Sequence, residues 1–107
     1  MERRQFFRHK IFADLVIYVD RKNFRGVAYN ISIGGINFVA DKILKTGTIC
    51  KINFLTDTEL DYKLKGKVVR AEVINKKDKM GKYGIEFDKP IKLSILQTVA
   101  DLFTIPR

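Results

Sequence analysis

The sequence predicts an all-β fold, a six- or seven-stranded antiparallel barrel with one C-terminal α-helix. Apolar and polar residues alternate along most of the chain, turn-forming residues separate the alternating stretches, and only the last stretch has helical spacing. A chain of 107 residues is long enough for one domain with one core. We therefore expect a single domain over residues 1–107, with the barrel at 11–87 and the helix at 88–105.

The first three strands are expected within the first forty residues. Residues 11–19 are apolar at every second position, and after the turn DRKN the segment FRGVAYNIS at 24–32 predicts the second strand. GINFVA at 35–40 predicts the third strand, with Ile36 and Phe38 on one face. Residues 1–10 precede the first strand, so we expect a flexible basic arm that can fold over the barrel.

The remaining strands follow the same alternation. TICKINFL at 48–55 places Cys50 on the core face, and a long strand is expected over residues 60–74. Gly66 interrupts that strand, which favours a bend or bulge there. After the charged tip NKKDKMGK, the segment YGIEF at 83–87 predicts the last strand.

The C-terminal segment is predicted to be an amphipathic helix. Asp88 and Pro90 offer a cap and a first-turn proline, so the helix is expected to begin near them. Its apolar residues recur at helical spacing: Ile95, Leu96, Val99, Leu102 and Phe103.

Composition limits the classes of function. The net charge of +9 and the pI near 9.8 predict a surface that attracts anions, whether nucleic acid, lipid headgroups or small phosphate ligands. No apolar stretch approaches the roughly 18 residues that a membrane helix needs, and we expect no signal peptide. The single cysteine, Cys50, permits no internal disulfide, which favours a cytoplasmic location.

The sequence shows no recognisable catalytic or metal-binding pattern. His9 is the one histidine and has no second ligand at metal spacing, so we expect it on the surface of the arm. There is no carboxylate pair, nucleophile elbow or phosphate-binding glycine loop. We therefore expect no enzyme activity, no catalytic residue, no metal and no cofactor.

Two polar motifs remain unexplained by the fold. RRQFFRHK at 3–10 places arginines around two phenylalanines, and NISIGG at 30–35 places an amide, a hydroxyl and two glycines where two strands meet. Taken separately, the first is typical of a solvated terminus and the second of a hairpin corner, where glycine permits positive φ or close approach of a ligand or backbone. Phe6 and Phe7 could stack on a base, but we favour at least one of them as an anchor for the arm.

Taken together, the two motifs resemble a known signature. Arg4-x-x-x-Arg8 followed by Asn30-x-Ser32-x-x-Gly35 is similar to the two-part motif of PilZ domains, bacterial receptors for the second messenger cyclic di-GMP. GKVVR at 66–70 and YGIEF at 83–87 also resemble the later strands of that family. The resemblance implies a barrel of PilZ type. It also implies that cyclic di-GMP is the ligand and that the binding residues are Arg3, Arg4, Arg8, Asn30, Ser32 and Gly35.

The ligand's chemistry explains the residue types. Cyclic di-GMP has two phosphodiesters, flat guanine faces and an O6/N7 acceptor pair on each base. An arginine guanidinium can bind each of these, whereas lysine supplies a point charge. Arg70 could reach the ligand from the barrel, although an arginine at a strand end is more often solvated. The resemblance thus implies a receptor whose arm orders on ligand binding and changes the surface presented to a protein partner.

Two alternatives remain open. A small basic barrel could bind single-stranded nucleic acid by stacking aromatic side chains on bases, with affinity that falls steeply with salt. A PilZ-like domain could also serve as a protein adaptor without a ligand. The intact two-part motif favours the cyclic di-GMP receptor, so nucleic acid is not the expected partner.

Overall fold

Residues 7–104 are described by the structure, a computed structural model, and they form six strands and one helix. The elements are β1 (His9–Val19), β2 (Lys22–Ile31), β3 (Gly35–Ala40), β4 (Ile49–Leu55), β5 (Glu59–Asn75), β6 (Met80–Phe87) and α1 (Leu93–Phe103). The strands pair antiparallel and close a barrel in the order β1-β2-β3-β6-β5-β4. The predicted all-β barrel with a terminal helix is confirmed, and the number of strands is six.

The alternating apolar residues fill the barrel as predicted. The large side chains of Phe38, Phe54 and Tyr83 lie at its centre and are at most 2% exposed. Inward-facing residues of every strand surround them, among them Ile11, Ala13, Leu15, Ile17, Ala28, Ile31, Ile36, Cys50, Ile52, Leu64, Val68, Ile85 and Phe87. Because these side chains point inward, the residues between them form the outer surface of the barrel.

Helix α1 packs across one end of the barrel. Leu96 and Val99 are buried, and the ring of Phe103 stacks on that of Phe54 with centroids 5.5 Å apart. Thr104 then forms an isolated bridge with Ile11 of β1. No helix within residues 7–104 is long and apolar enough to cross a membrane.

The predicted helix start at Asp88 to Pro90 is wrong. The backbone N–H of Asp88 donates to the Lys65 carbonyl and that of Ile91 to the Ile33 carbonyl, both at 2.9 Å. The segment 88–92 is therefore a connection that pairs with the barrel end, and the helix begins at Leu93. A proline fits either conformation, because its fixed φ and missing N–H suit both a first helical turn and an extended connection.

Three other features also differ from the prediction, and one of them is the start of β6, which lies at Met80 within the predicted tip at 75–82. Strand β1 begins at His9, so His9 and Lys10 belong to the barrel and not to an arm of residues 1–10. The pairing of β5 with β6 shifts register between Val68 and Arg70 and again between Val73 and Asn75, and no shift occurs at Gly66. A Cβ at Gly66 would overlap the Glu86 carbonyl oxygen, so this glycine permits close approach of β6.

Candidate functional site

A row of residues crosses the outer surface of four strands near the barrel end that α1 covers. Asn30 of β2 lies opposite Asn37 of β3, Asn37 opposite Gly84 of β6, and Gly84 opposite Arg70 of β5. The register thus aligns two amides and one guanidinium on neighbouring strands. Arg8 immediately precedes β1 and joins the row from its other end.

Hydrogen bonds connect the row into one network. The Asn30 Oδ1 accepts two bonds, from Arg8 Nη1 at 3.1 Å and from Asn37 Nδ2 at 2.7 Å. The Asn37 Oδ1 in turn accepts a bond from Arg70 Nη2 at 2.9 Å. The chain of contacts therefore has an arginine at each end and two amides between them, and it holds both guanidinium groups against the same surface.

Asn37 is the centre of this network. It alternates with the core residues Ile36 and Phe38, so its side chain lies on the outer face of β3, yet it is only 4% exposed. A buried amide is stable only when hydrogen-bonded, and Asn37 satisfies this through Asn30 and Arg70. The buried amide fixes the orientation of both neighbours.

Gly84 gives Arg70 the room to reach Asn37 across β6. A Cβ at position 84 would lie 2.8 Å from Asn37 Oδ1 and 3.2 Å from Arg70 Nη2. Both distances are shorter than ordinary carbon contacts, so a side chain here would push the two groups apart. The glycine of YGIEF therefore contributes to the site through the space that it leaves.

The corner after β2 lies beside the network. Ser32 is buried, its N–H donates to the Gly35 carbonyl at 2.9 Å, and its Oγ accepts the Gly34 N–H at 3.2 Å. A Cβ at Gly35 would overlap the carbonyl oxygen of Ile85. Neither glycine has a positive φ, so of the two roles that the sequence left open, close approach of another backbone is the one that Gly35 fulfils.

Aromatic and charged side chains lie on the other side of Arg70. A cavity of about 150 Å³ is lined by Tyr29, Arg70, Glu72, Lys82 and Tyr83. The Lys82 Nζ lies 5.4 Å from the centroid of the Tyr29 ring, within the range of a cation–π contact. The cavity beside the network is therefore lined by side chains of both charges and by the Tyr29 ring, over which Lys82 lies.

The structure brings together most of the predicted site residues that it describes. Arg8 and Asn30 are in contact, and Ser32 and Gly35 form the adjoining corner. The predicted residues Arg3 and Arg4 lie outside the described residues, as does Phe6. Phe7 is 76% exposed and contacts the His9 ring edge-on at 4.9 Å, so Phe7 is not the expected anchor.

Two contributors differ from the sequence-based expectation. Arg70 belongs to the network instead of being a solvated strand end, and Asn37 was not predicted at all. The sequence feature that could have indicated Asn37 is an amide between two core residues, Ile36 and Phe38. Its pairing with Asn30 depends on the register of β2 and β3.

Comparisons with known proteins give one family and related folds. A family model described as PilZ domain matches residues 2–103. No curated protein matches the sequence. Among solved structures, the inhibitor of motility MotI/DgrA of Bacillus subtilis is similar, with a TM-score of 0.68 and 21% identity over 95% of this chain. The alignment covers 50% of MotI/DgrA, so this chain spans half of that protein's length.

A second similar structure is the PilZ domain of YcgR from Escherichia coli, solved with c-di-GMP. It has a TM-score of 0.60 and 16% identity, over 94% of this chain and 88% of that one. At these identities the two structures establish the shared fold.

Proposed function

The chain belongs to the PilZ domain family, and from that premise we propose that it binds cyclic di-GMP on the surface formed by Arg8, Asn30, Asn37 and Arg70. PilZ domains are receptor or adaptor domains and not enzymes, and the YcgR domain was solved with this ligand. The observation that supports the proposal best is the hydrogen-bond network that joins the two arginines through two amides. The network holds cationic donors in fixed positions before any ligand arrives.

The donor set matches the acceptors of the ligand. A guanidinium carries five N–H donors, and the contact with Asn37 uses one donor of Arg70. The remaining N–H donors of the guanidinium are enough to bind a phosphate or the O6/N7 edge of a guanine. Tyr29 and Lys82 border the same surface and supply an aromatic face and a further cation.

The energies are sufficient for a micromolar complex. Hydrogen bonds to charged groups contribute about 1.5 to 3 kcal/mol each. Three or four of them, less the cost of ordering flexible groups, reach the roughly 8 kcal/mol of a micromolar dissociation constant. Arg3 and Arg4 belong to the proposed binding set by their place in the family signature.

We propose further that the ligand orders the arm that contains these two arginines. Ordering of a mobile segment on binding is a known type of switch, and it would change the surface that a protein partner meets. Amide hydrogen exchange on residues 1–8, which precede β1, with and without cyclic di-GMP tests this step. Unchanged exchange in the presence of bound ligand would refute the arm mechanism and leave the binding proposal intact.

Isothermal titration calorimetry with cyclic di-GMP tests the binding itself, with GMP as the control ligand. We expect the parent chain to bind cyclic di-GMP. In Arg8→Ala the binding free energy should be weaker by about 2 to 5 kcal/mol, because one member of a charged contact is removed. The melting temperature should hardly change, since Arg8 lies outside the core. Equal affinity for GMP, or preferential binding of a single-stranded oligonucleotide, would contradict the proposal.

A further inference from the structure

The second half of β5 forms an unpaired edge of the sheet. The pairing of β4 with β5 ends at Lys67, and the backbone of Val68 bonds to Gly47 and Thr48. Beyond Val68, no strand within residues 7–104 pairs with that side of β5. Every side chain from 69 to 75 is exposed. An edge of this kind presents backbone groups that can pair with another chain.

The hydrogen bonds of β6 show which of its backbone groups point toward β5. The N–H of Phe87 donates to the Gly34 carbonyl, so Phe87 directs its backbone groups to the β3 side. Backbone groups of an antiparallel strand point alternately to its two neighbours. With the regular register between β3 and β6, Gly84 and Lys82 therefore direct theirs toward β5.

The same alternation identifies the outward groups of β5. Arg70 lies opposite Gly84 and Glu72 opposite Lys82, so Arg70 and Glu72 use their backbone groups for β6. Ala71, between them, consequently directs its N–H and C=O to the unpaired edge, and so does the next alternate residue, Val73. The edge thus offers two donors and two acceptors in regular strand geometry.

We propose that this edge pairs with the same edge of a second copy of this chain. The result is an antiparallel dimer whose two-fold axis lies between the two Ala71 residues. In this register Ala71 pairs with the partner's Ala71, and Arg70 lies opposite the partner's Glu72. Val69 lies opposite the partner's Val73. Opposite charges and apolar side chains that face each other directly across two strands stabilise their pairing.

Charge complementarity selects this register and a second copy as the occupant. Moving the axis by one residue would place Arg70 opposite the partner's Arg70, or Glu72 opposite the partner's Glu72, and like charges directly opposite each other are destabilising. The sequence V-R-A-E-V at 69–73 therefore complements itself in one arrangement.

The ends of the edge limit the pairing to a short stretch. Register shifts lie between Val68 and Arg70 and between Val73 and Asn75, and three lysines follow at the hairpin tip at 76, 77 and 79. Bulges and lysines restrict edge pairing. In an antiparallel dimer the two lysine-rich tips point in opposite directions and do not meet. We therefore expect a weak dimer whose population rises with protein concentration.

Analytical ultracentrifugation of the ligand-free chain, over about a hundredfold range of concentration, tests the proposal. We expect a reversible monomer–dimer equilibrium. Glu72→Lys should raise the dimer dissociation constant at least about tenfold, because it places a cation opposite the partner's Arg70 twice per dimer. Glu86→Lys is the matched control, since it makes the same change of charge at an exposed position of β6, away from the edge. It should leave the equilibrium unchanged.

Charge reversal provides a second test. Arg70→Glu alone should also weaken the dimer, and combining it with Glu72→Lys should restore it, because the opposite charges again face each other. Circular dichroism verifies that each variant is folded.

In the parent chain, the amides of Ala71 and Val73 should gain protection from hydrogen exchange as concentration rises. A chain that stays monomeric over the whole range, a dimer insensitive to Glu72→Lys, or dimerisation without added protection would overturn the proposal. No measurement contains cyclic di-GMP, so none of these results depends on the proposed ligand.

Discussion

Arg70→Ala is the substitution that tests the proposed binding surface most directly. The side chain is exposed, and its described hydrogen bond, to Asn37 Oδ1 at 2.9 Å, is a charged one. If Arg70 also contacts the ligand, its removal should cost about 1.5 to 3 kcal/mol of binding free energy. This corresponds to a roughly 10- to 150-fold weaker complex. The free energy of unfolding should also fall, by about 1 to 3 kcal/mol, because the buried Asn37 Oδ1 loses the hydrogen bond from Arg70.

Calorimetry on four proteins isolates the role of Arg70: the parent, Arg70→Ala, Arg70→Lys and the control Arg25→Ala. Arg25 is an exposed arginine of β2 with no described contact to the network, so its removal measures the effect of net charge alone. Lysine keeps the charge but not the planar fork, so Arg70→Lys should recover only part of the affinity. Parent-like binding by Arg70→Ala, or an equal loss in Arg25→Ala, would refute a direct role for Arg70.

Three further predictions concern residues that shape or surround the site. Gly84→Ala should weaken cyclic di-GMP binding about tenfold in the same titration, because the new Cβ separates Asn37 from Arg70; unchanged affinity would show that their contact is not needed. Gly35→Ala should lower the free energy of unfolding by about 1 to 3 kcal/mol in denaturant melts, because its Cβ overlaps backbone of β6; a parent-like midpoint would contradict this. Cys50 should resist alkylation in the native protein and react once it is unfolded, because burial both shields it and raises the pKa of its thiol to about 11; rapid native labelling at pH 8 would be the contrary result.

The fold was predictable where burial of one face of a strand requires an apolar residue at every second position. In β3, core residues at every second position fixed the strand and its inward face, and both were confirmed. In β6 the same alternation located Tyr83 to Phe87, although the strand begins earlier, at Met80. The helix start was not predictable, because Asp88 and Pro90 are compatible with a helical turn and with an extended connection. The choice depends on hydrogen bonds to the Lys65 and Ile33 carbonyls, which are distant in sequence.

Gly66 illustrates a similar difficulty within a strand. A glycine in a strand indicates either a bulge or a close approach of another backbone. The sequence does not contain the deciding fact, which is that the Glu86 carbonyl lies where a Cβ would be. The register shift occurs nearby instead, between Val68 and Arg70, and it changes which side of β5 faces outward beyond that point.

The proposed binding surface was predictable only where a local motif contained its residues. Arg8 and Asn30 belong to recognisable motifs, and the structure brings them into contact. Asn37 and Arg70 depend instead on register: the amide reaches Asn30 from the neighbouring strand, and the guanidinium crosses Gly84 to meet the amide. Asn37 is hydrogen-bonded to Asn30 of β2 and to Arg70 of β5. We therefore infer that this amide sets the distance between Arg8 and Arg70. Since Arg70→Ala and Gly84→Ala both act on the contact between Asn37 and Arg70, we expect their effects on ligand affinity not to be additive.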